Sequence, residues 1–134
     1  MVDAHPAGSY LRWHSSRMRV SDLSIEALDS SERPSRVVVV VRGAVDGRNV
    51  PSFADRLDTL HRAGMRHLVI DMAGVTMLCS AALGYLVNLA DSLGEVGGEI
   101  TIACITPKVK EVFDLIGLCS FFTFQDTRDG AVDP

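Results

Sequence analysis

Five consecutive valines, Val37 to Val41, constrain this chain more than any other feature. A β-branched run of that length, bounded by Arg36 and Arg42, reads as a strand rather than a helix. Neither of its alternating sets of side chains is polar, so the strand is expected to be buried on both faces. Such strands sit at the centre of largely parallel sheets covered by helices. The rest of the chain must then supply the covering helices and the flanking strands.

The periodicity supplies them in order. Arg19 to Leu28 alternates loosely through Val20, Leu23, Ile25 and Ala27 and predicts an edge strand, followed by a turn over Asp29 to Ser35. After the valines, Gly43-Ala-Val-Asp-Gly47 forms a loop. Asn49 and Pro51 open a helix with Val50, Phe53, Leu57 and Leu60 on one face, ended by Gly64. Leu68 to Met72 is the next buried strand, and Ala73 and Gly74 predict a turn. From Ser80 a second helix buries Leu83, Leu86, Val87 and Ala90 until Gly97-Gly98 breaks it. Ile100 to Cys104 is a further strand. Thr106-Pro107 starts a third helix with Val109, Val112, Phe113 and Ile116 inward, closed by Gly117, and Phe121 to Phe124 ends the pattern as a short strand.

The predicted order is β-β-α-β-α-β-α-β. Helices linking successive strands require right-handed crossovers. The expected fold is therefore α/β, a small mostly parallel sheet with an added edge strand and three to four helices. Residues 1–17 and 127–134, polar and mixed, are expected as flexible tails around a domain at 18–126. Loops at the carboxyl ends of the strands are where such folds place their function, and both Asp46 and Ser80 belong to those loops.

Bulk properties remove several function classes. With 134 residues, 47% hydrophobic, and a formal net charge of −4, the chain suits one compact domain and offers no basic stripe for nucleic acid. No apolar run approaches the ~18 residues needed to span a bilayer, and the first residues carry no secretory h-region. Three cysteines, Cys79, Cys104 and Cys119, lack ligand spacing and suggest a reducing cytoplasm, as buried thiols, with Cys79 as a conceivable redox sensor. His5, His14, His61 and His67 are scattered. Ser80 lacks a nucleophile elbow and no phosphate loop is present, so neither enzyme nor metal nor cofactor is expected.

Ser80 itself has two physical readings. A serine opening a helix can cap it, a role worth about 1 kcal/mol. The same place, beside free N–H groups and the positive end of the helix dipole, tolerates a phosphate, which makes Ser80 a candidate switch.

Taken together these residues resemble the STAS domain, the fold of bacterial anti-sigma factor antagonists. The resemblance rests on Gly43-Ala-Val-Asp46, on Asp71-Met-Ala-Gly-Val-Thr-Met-Leu-Cys-Ser-Ala-Ala-Leu-Gly84, and on Val112-Phe-Asp-Leu-Ile-Gly-Leu118, and it runs from about Met18 to Asp126. It implies a partner switch. In such proteins the serine matching Ser80 is phosphorylated by an ATP-dependent kinase, often the anti-sigma factor itself, and a serine phosphatase resets it. The unphosphorylated form binds that factor and frees a sigma factor for transcription, often in a stress response. Two positions depart from the family pattern: Cys79 replaces an aspartate and Ala82 a glycine. The resemblance places Asp46, Gly47, Asn49, Met77, Cys79, Ser80, Ala81 and Tyr85 on the docking surface. STAS-like modules also serve as accessory subunits of lipid ABC transporters and as scaffold subunits of stress-signalling complexes, and these are the alternatives.

Overall fold

The computed structural model describes residues 13–20, 22–30 and 33–127. They form a six-stranded mixed sheet in the order β1-β2-β3-β4-β5-β6, with strands β1 (Trp13–Val20), β2 (Leu23–Ser30), β3 (Arg33–Val45), β4 (His67–Leu78), β5 (Glu99–Ala103) and β6 (Thr123–Gln125). The first two pairings are antiparallel and the remaining three parallel. Helices α1 (Val50–Arg62), α2 (Ser80–Gly94) and α3 (Pro107–Leu115) make the crossovers.

The valine run lies where its composition requires. Val37 to Val41 occupy β3, the third strand, and all five are buried. Val37, Val39 and Val41 join the main core with the buried faces of all three helices. Val38 and Val40 point to the other side, with Val69 and Ala103, as a second small cluster. Alternation of side chains across the pleat divides one run between two cores.

The amino-terminal side holds one strand more than expected. The stretch read as a single edge strand is part of a hairpin, and β1 is the edge. The expected tail boundary at residue 17 falls inside β1, so Trp13 to Arg17 belong to the sheet. Arg17 sits directly opposite Glu26 and pairs with it at 3.4 Å, a cross-strand partnership that simple apolar alternation does not reveal. Residues 1–12 and 128–134 lie outside the described residues.

Ala73 and Gly74 are not a turn but the middle of a long β4. Val40 faces Asp71 yet Arg42 faces Gly74, and Gly43 faces Val75 yet Ala44 faces Met77, so β4 bulges twice. The Asp71 carboxylate accepts the Ala73 N–H at 3.0 Å and holds the first bulge. The bulges convert the inward period from two to three: Met72, Val75 and Leu78 are buried.

In α3 only Val109 and Phe113 reach the core. Phe113 packs edge-on against Phe122 and Phe124 at 5.6 and 5.8 Å, and this narrow aromatic contact takes one residue per turn. Val112 and Ile116, expected inward, are 37% and 53% exposed. The final aromatic stretch divides into a single 3₁₀ turn, Cys119–Phe121, and β6. No helix among the described residues is long and apolar enough to cross a membrane.

Candidate functional site

Two loops meet at the carboxyl edge of the sheet. β3 ends at Val45 beside Leu78 of β4, and Cys79 donates its backbone N–H to the Val45 carbonyl at 2.9 Å. That bond holds the β3–α1 loop, with Asp46, Gly47, Arg48 and Asn49, against the start of α2, with Cys79, Ser80 and Ala81. The candidate residues drawn from the sequence therefore converge, but they divide into surface and support.

Gly47, Met77, Ser80 and Ala81 form the exposed part, with Met77 44% exposed because the second bulge turns it outward. An exposed methionine is a flexible apolar side chain that can adapt its shape to a surface it meets. Ser80 is not the cap. Cys79 occupies the N-cap position in extended conformation, its thiol making no capping bond, and Ser80 is the first helical residue. Among the described residues the Ser80 hydroxyl has no hydrogen-bond partner, and the side chain is exposed. It sits at the start of α2, whose first-turn N–H groups have no partner within the helix.

Asn49 is support rather than surface. It is 1% exposed, its Oδ1 accepting the Asp46 N–H at 2.9 Å and its Nδ2 donating to the Ala44 carbonyl at 3.0 Å. A short polar residue ahead of a helix reads equally as a cap or as a contact, and only the fold shows it turned inward. Replacing Asn49 by alanine leaves a buried donor and acceptor unpaired. The expected loss is about 2 kcal/mol in denaturant melts, with backbone amide resonances of 44–49 broadened.

Asp46 has a partner that sequence reasoning missed. Its carboxylate accepts the Arg48 N–H at 2.9 Å and the Arg48 guanidinium at 3.1 Å, which together hold its pKa below the ordinary carboxylate value. The spacing Asp46-Gly-Arg48, an aspartate bonding a backbone N–H two residues on, was the available signal. The Asp46 carbonyl takes the Val50 N–H at 2.9 Å and starts α1.

Tyr85 is half-buried and ties the two long helices together. Its ring meets Phe53 edge-on at 6.3 Å, and its single hydroxyl hydrogen is shared between two acceptors within bonding distance, the Asp58 carboxylate and the Ala54 carbonyl, the latter at 3.0 Å. Burial and the neighbouring Asp58 raise its pKa above the usual 10.0. A raised folded-state pKa means this contribution is complete below pH 10.0 and erodes as pH climbs through the folded value. Tyr85→Phe is expected to cost about 1 kcal/mol at neutral pH, read by urea melts, and to flatten the alkaline loss of stability.

No disulfide joins Cys79, Cys104 and Cys119, which are half-buried, and the Cys119 thiol donates to Asp114 at 2.7 Å, which raises its pKa. Among the described residues no group of three or more His, Cys, Asp and Glu could hold a metal ion.

Comparison with known proteins bears on the fold and the family. BtrV of Bordetella bronchiseptica, described as an anti-sigma factor antagonist, is 27% identical over 95 residues, 71% of this chain and 82% of BtrV. The crystal structure of an anti-sigma factor antagonist from Mycobacterium paratuberculosis superposes with a TM-score of 0.72 at 24% identity, covering 82% of this chain and 91% of that one. The anti-sigma factor antagonist SpoIIAA in its unphosphorylated form gives 0.67 at 17% identity, over 90% and 94% of the two chains. The phosphorylated form of Bacillus SpoIIAA gives 0.61 at 16%, over 90% and 97%. At these identities the superpositions speak for the fold alone. The STAS domain family model matches residues 27–131, from within β2 to beyond β6, and the chain belongs to the STAS domain family.

Proposed function

We propose that this protein is an anti-sigma factor antagonist, a cytoplasmic partner switch that acts by binding rather than by turnover. Unphosphorylated, it docks an anti-sigma factor with serine-kinase activity through Gly47, Met77, Ser80 and Ala81, and a sigma factor is released. Phosphorylation of Ser80 ends the docking and a serine phosphatase restores it. The observation that carries this reading is the Ser80 hydroxyl: exposed, without a hydrogen bond among the described residues, and set on the first turn of α2. A structural serine at a helix start would be expected to cap it, and this one does not.

The chemistry is a simple phosphoryl transfer. The Ser80 Oγ–P bond forms as the bond from the γ-phosphorus to the β–γ bridging oxygen of ATP breaks. ADP leaves, and the hydroxyl proton passes to a base on the kinase. The product adds roughly −1.5 to −2 charges at pH 7 to a face that must pack flat. SpoIIAA, which shares this fold, has been solved in both an unphosphorylated and a phosphorylated form, which favours this reading over a static subunit.

The test starts with capture of partners from native cytosol on the immobilised wild-type chain. ATP is then added and the bait is mapped by mass. A phosphate on the peptide containing Ser80, coincident with release of a kinase-like ATPase and absent in Ser80→Ala, is the expected result. Retention of a transporter ATPase with no phosphate on the bait would overturn it in favour of an accessory subunit.

A further inference from the structure

We infer that Arg48 is the group that receives the phosphate: its guanidinium lies on Asp46 while Ser80 is unmodified and transfers to the phosphate once Ser80 carries one. The inference rests on the phosphoserine reading above.

Four observations support it. The Cys79 N–H to Val45 carbonyl bond fixes the two loops side by side, with Arg48 three residues beyond one end of it and Ser80 one residue beyond the other. Within 46–49 and 77–82, Arg48 is the one cationic side chain. Its present attachment is weak, for the side chain is 68% exposed and an exposed ion pair contributes little. Finally, the loop does not depend on the guanidinium. Asp46 still accepts the Arg48 backbone N–H, its carbonyl still starts α1, and Asn49 still pins Ala44 and Asp46. The side chain can leave without unfolding the loop that carries it.

A phosphate is the stronger partner. It offers three acceptor oxygens and about twice the charge of a carboxylate, and guanidinium binds it in a fork. The first-turn N–H groups of α2 orient the phosphate at the same time. Position 79 helps as well, because a cysteine there presents no carboxylate to compete for the arginine. Transfer strips Asp46 of its counter-charge, so one modification exposes two anionic groups on the docking face instead of one.

The test installs phosphoserine at position 80 of the full chain during translation and follows its second ionisation by ³¹P NMR. A nearby cation favours the dianion, so the wild-type value is expected to lie about half a unit below that of Arg48→Ala. Arg62→Ala makes the same change of net charge in the last turn of the 13-residue α1. It lies about 20 Å away along the axis, well beyond a Debye length of about 8 Å, and is expected to leave the wild-type value unchanged. No shift in Arg48→Ala, or equal shifts in both variants, overturns the inference. Because the phosphate is installed rather than added by a kinase, this outcome is independent of whether a kinase recognises Ser80, which the mass mapping decides.

Discussion

Gly43→Ala is expected to destabilise the domain by about 3 kcal/mol and to lower Tm by roughly 10 °C. Gly43 has φ +104°, which L side chains rarely adopt, and a Cβ there would stand 2.3 Å from the Asp22 carbonyl oxygen and 3.2 Å from its carbon. Both obstructions are backbone, so no rotamer change relieves them. Either β3 changes its path or the start of β2 moves. The second option displaces Leu23, fully buried in the core, and strains the Ser24–Arg42 pairing. Gly43 also faces Val75 just before the second bulge, where β3 bends toward the loop of Asp46. The damage should therefore extend to the docking face. Gly47→Ala is the control, since nothing lies within 4 Å of its Cβ and its φ is ordinary. It is expected within about 0.5 kcal/mol of wild type. Calorimetry and denaturant melts of the two variants side by side would decide the matter. A Gly43→Ala protein as stable as Gly47→Ala would mean that the sheet edge yields freely.

That glycine illustrates what was legible in the chain and what was not. Its place in the stretch Gly43-Ala-Val-Asp46 marks the family, yet the reason for a glycine is a carbonyl contributed by Asp22, twenty-one residues upstream in sequence. Patterns of local period recovered the three helices, the parallel strands and the double-faced burial of Val37 to Val41, because each of those follows from spacing alone. They missed β1, whose side chains lack an apolar alternation and which pairs with β2 through a backbone ladder from Trp13 opposite Ser30 to Val20 opposite Leu23. They also misread β4, since two bulges replace a period of two with a period of three, and no propensity records a bulge. The site shows the same division. Ser80, Met77 and the Asp46 loop were visible as motifs. That Asn49 turns inward and Arg48 outward depends on a loop a few residues long, which sequence leaves undetermined.

Ser80→Asp is expected to weaken anti-sigma factor binding by about a hundredfold, ~3 kcal/mol, while Ser80→Ala binds within about threefold of wild type. The argument rests on two effects of opposite sign. At the first helical position an aspartate interacts favourably with the macrodipole of α2 and its unpaired N–H groups, which stabilises the free protein by about 0.5 kcal/mol. Tm should therefore rise by about 2 °C. In the complex the same carboxylate must leave water on a face where Met77 and Ala81 supply apolar contact, and an unpaired charge buried there costs several kcal/mol. Affinity and stability move apart, and no account in which the substitution merely damages the fold predicts that. Titration calorimetry against the captured partner gives the first quantity, and a thermal melt of the free protein gives the second. If affinity and Tm fall together, Ser80 is supporting the helix. If the two baits bind equally, the partner docks elsewhere on the domain, and the exposed hydroxyl at the head of α2 has no part in the switch.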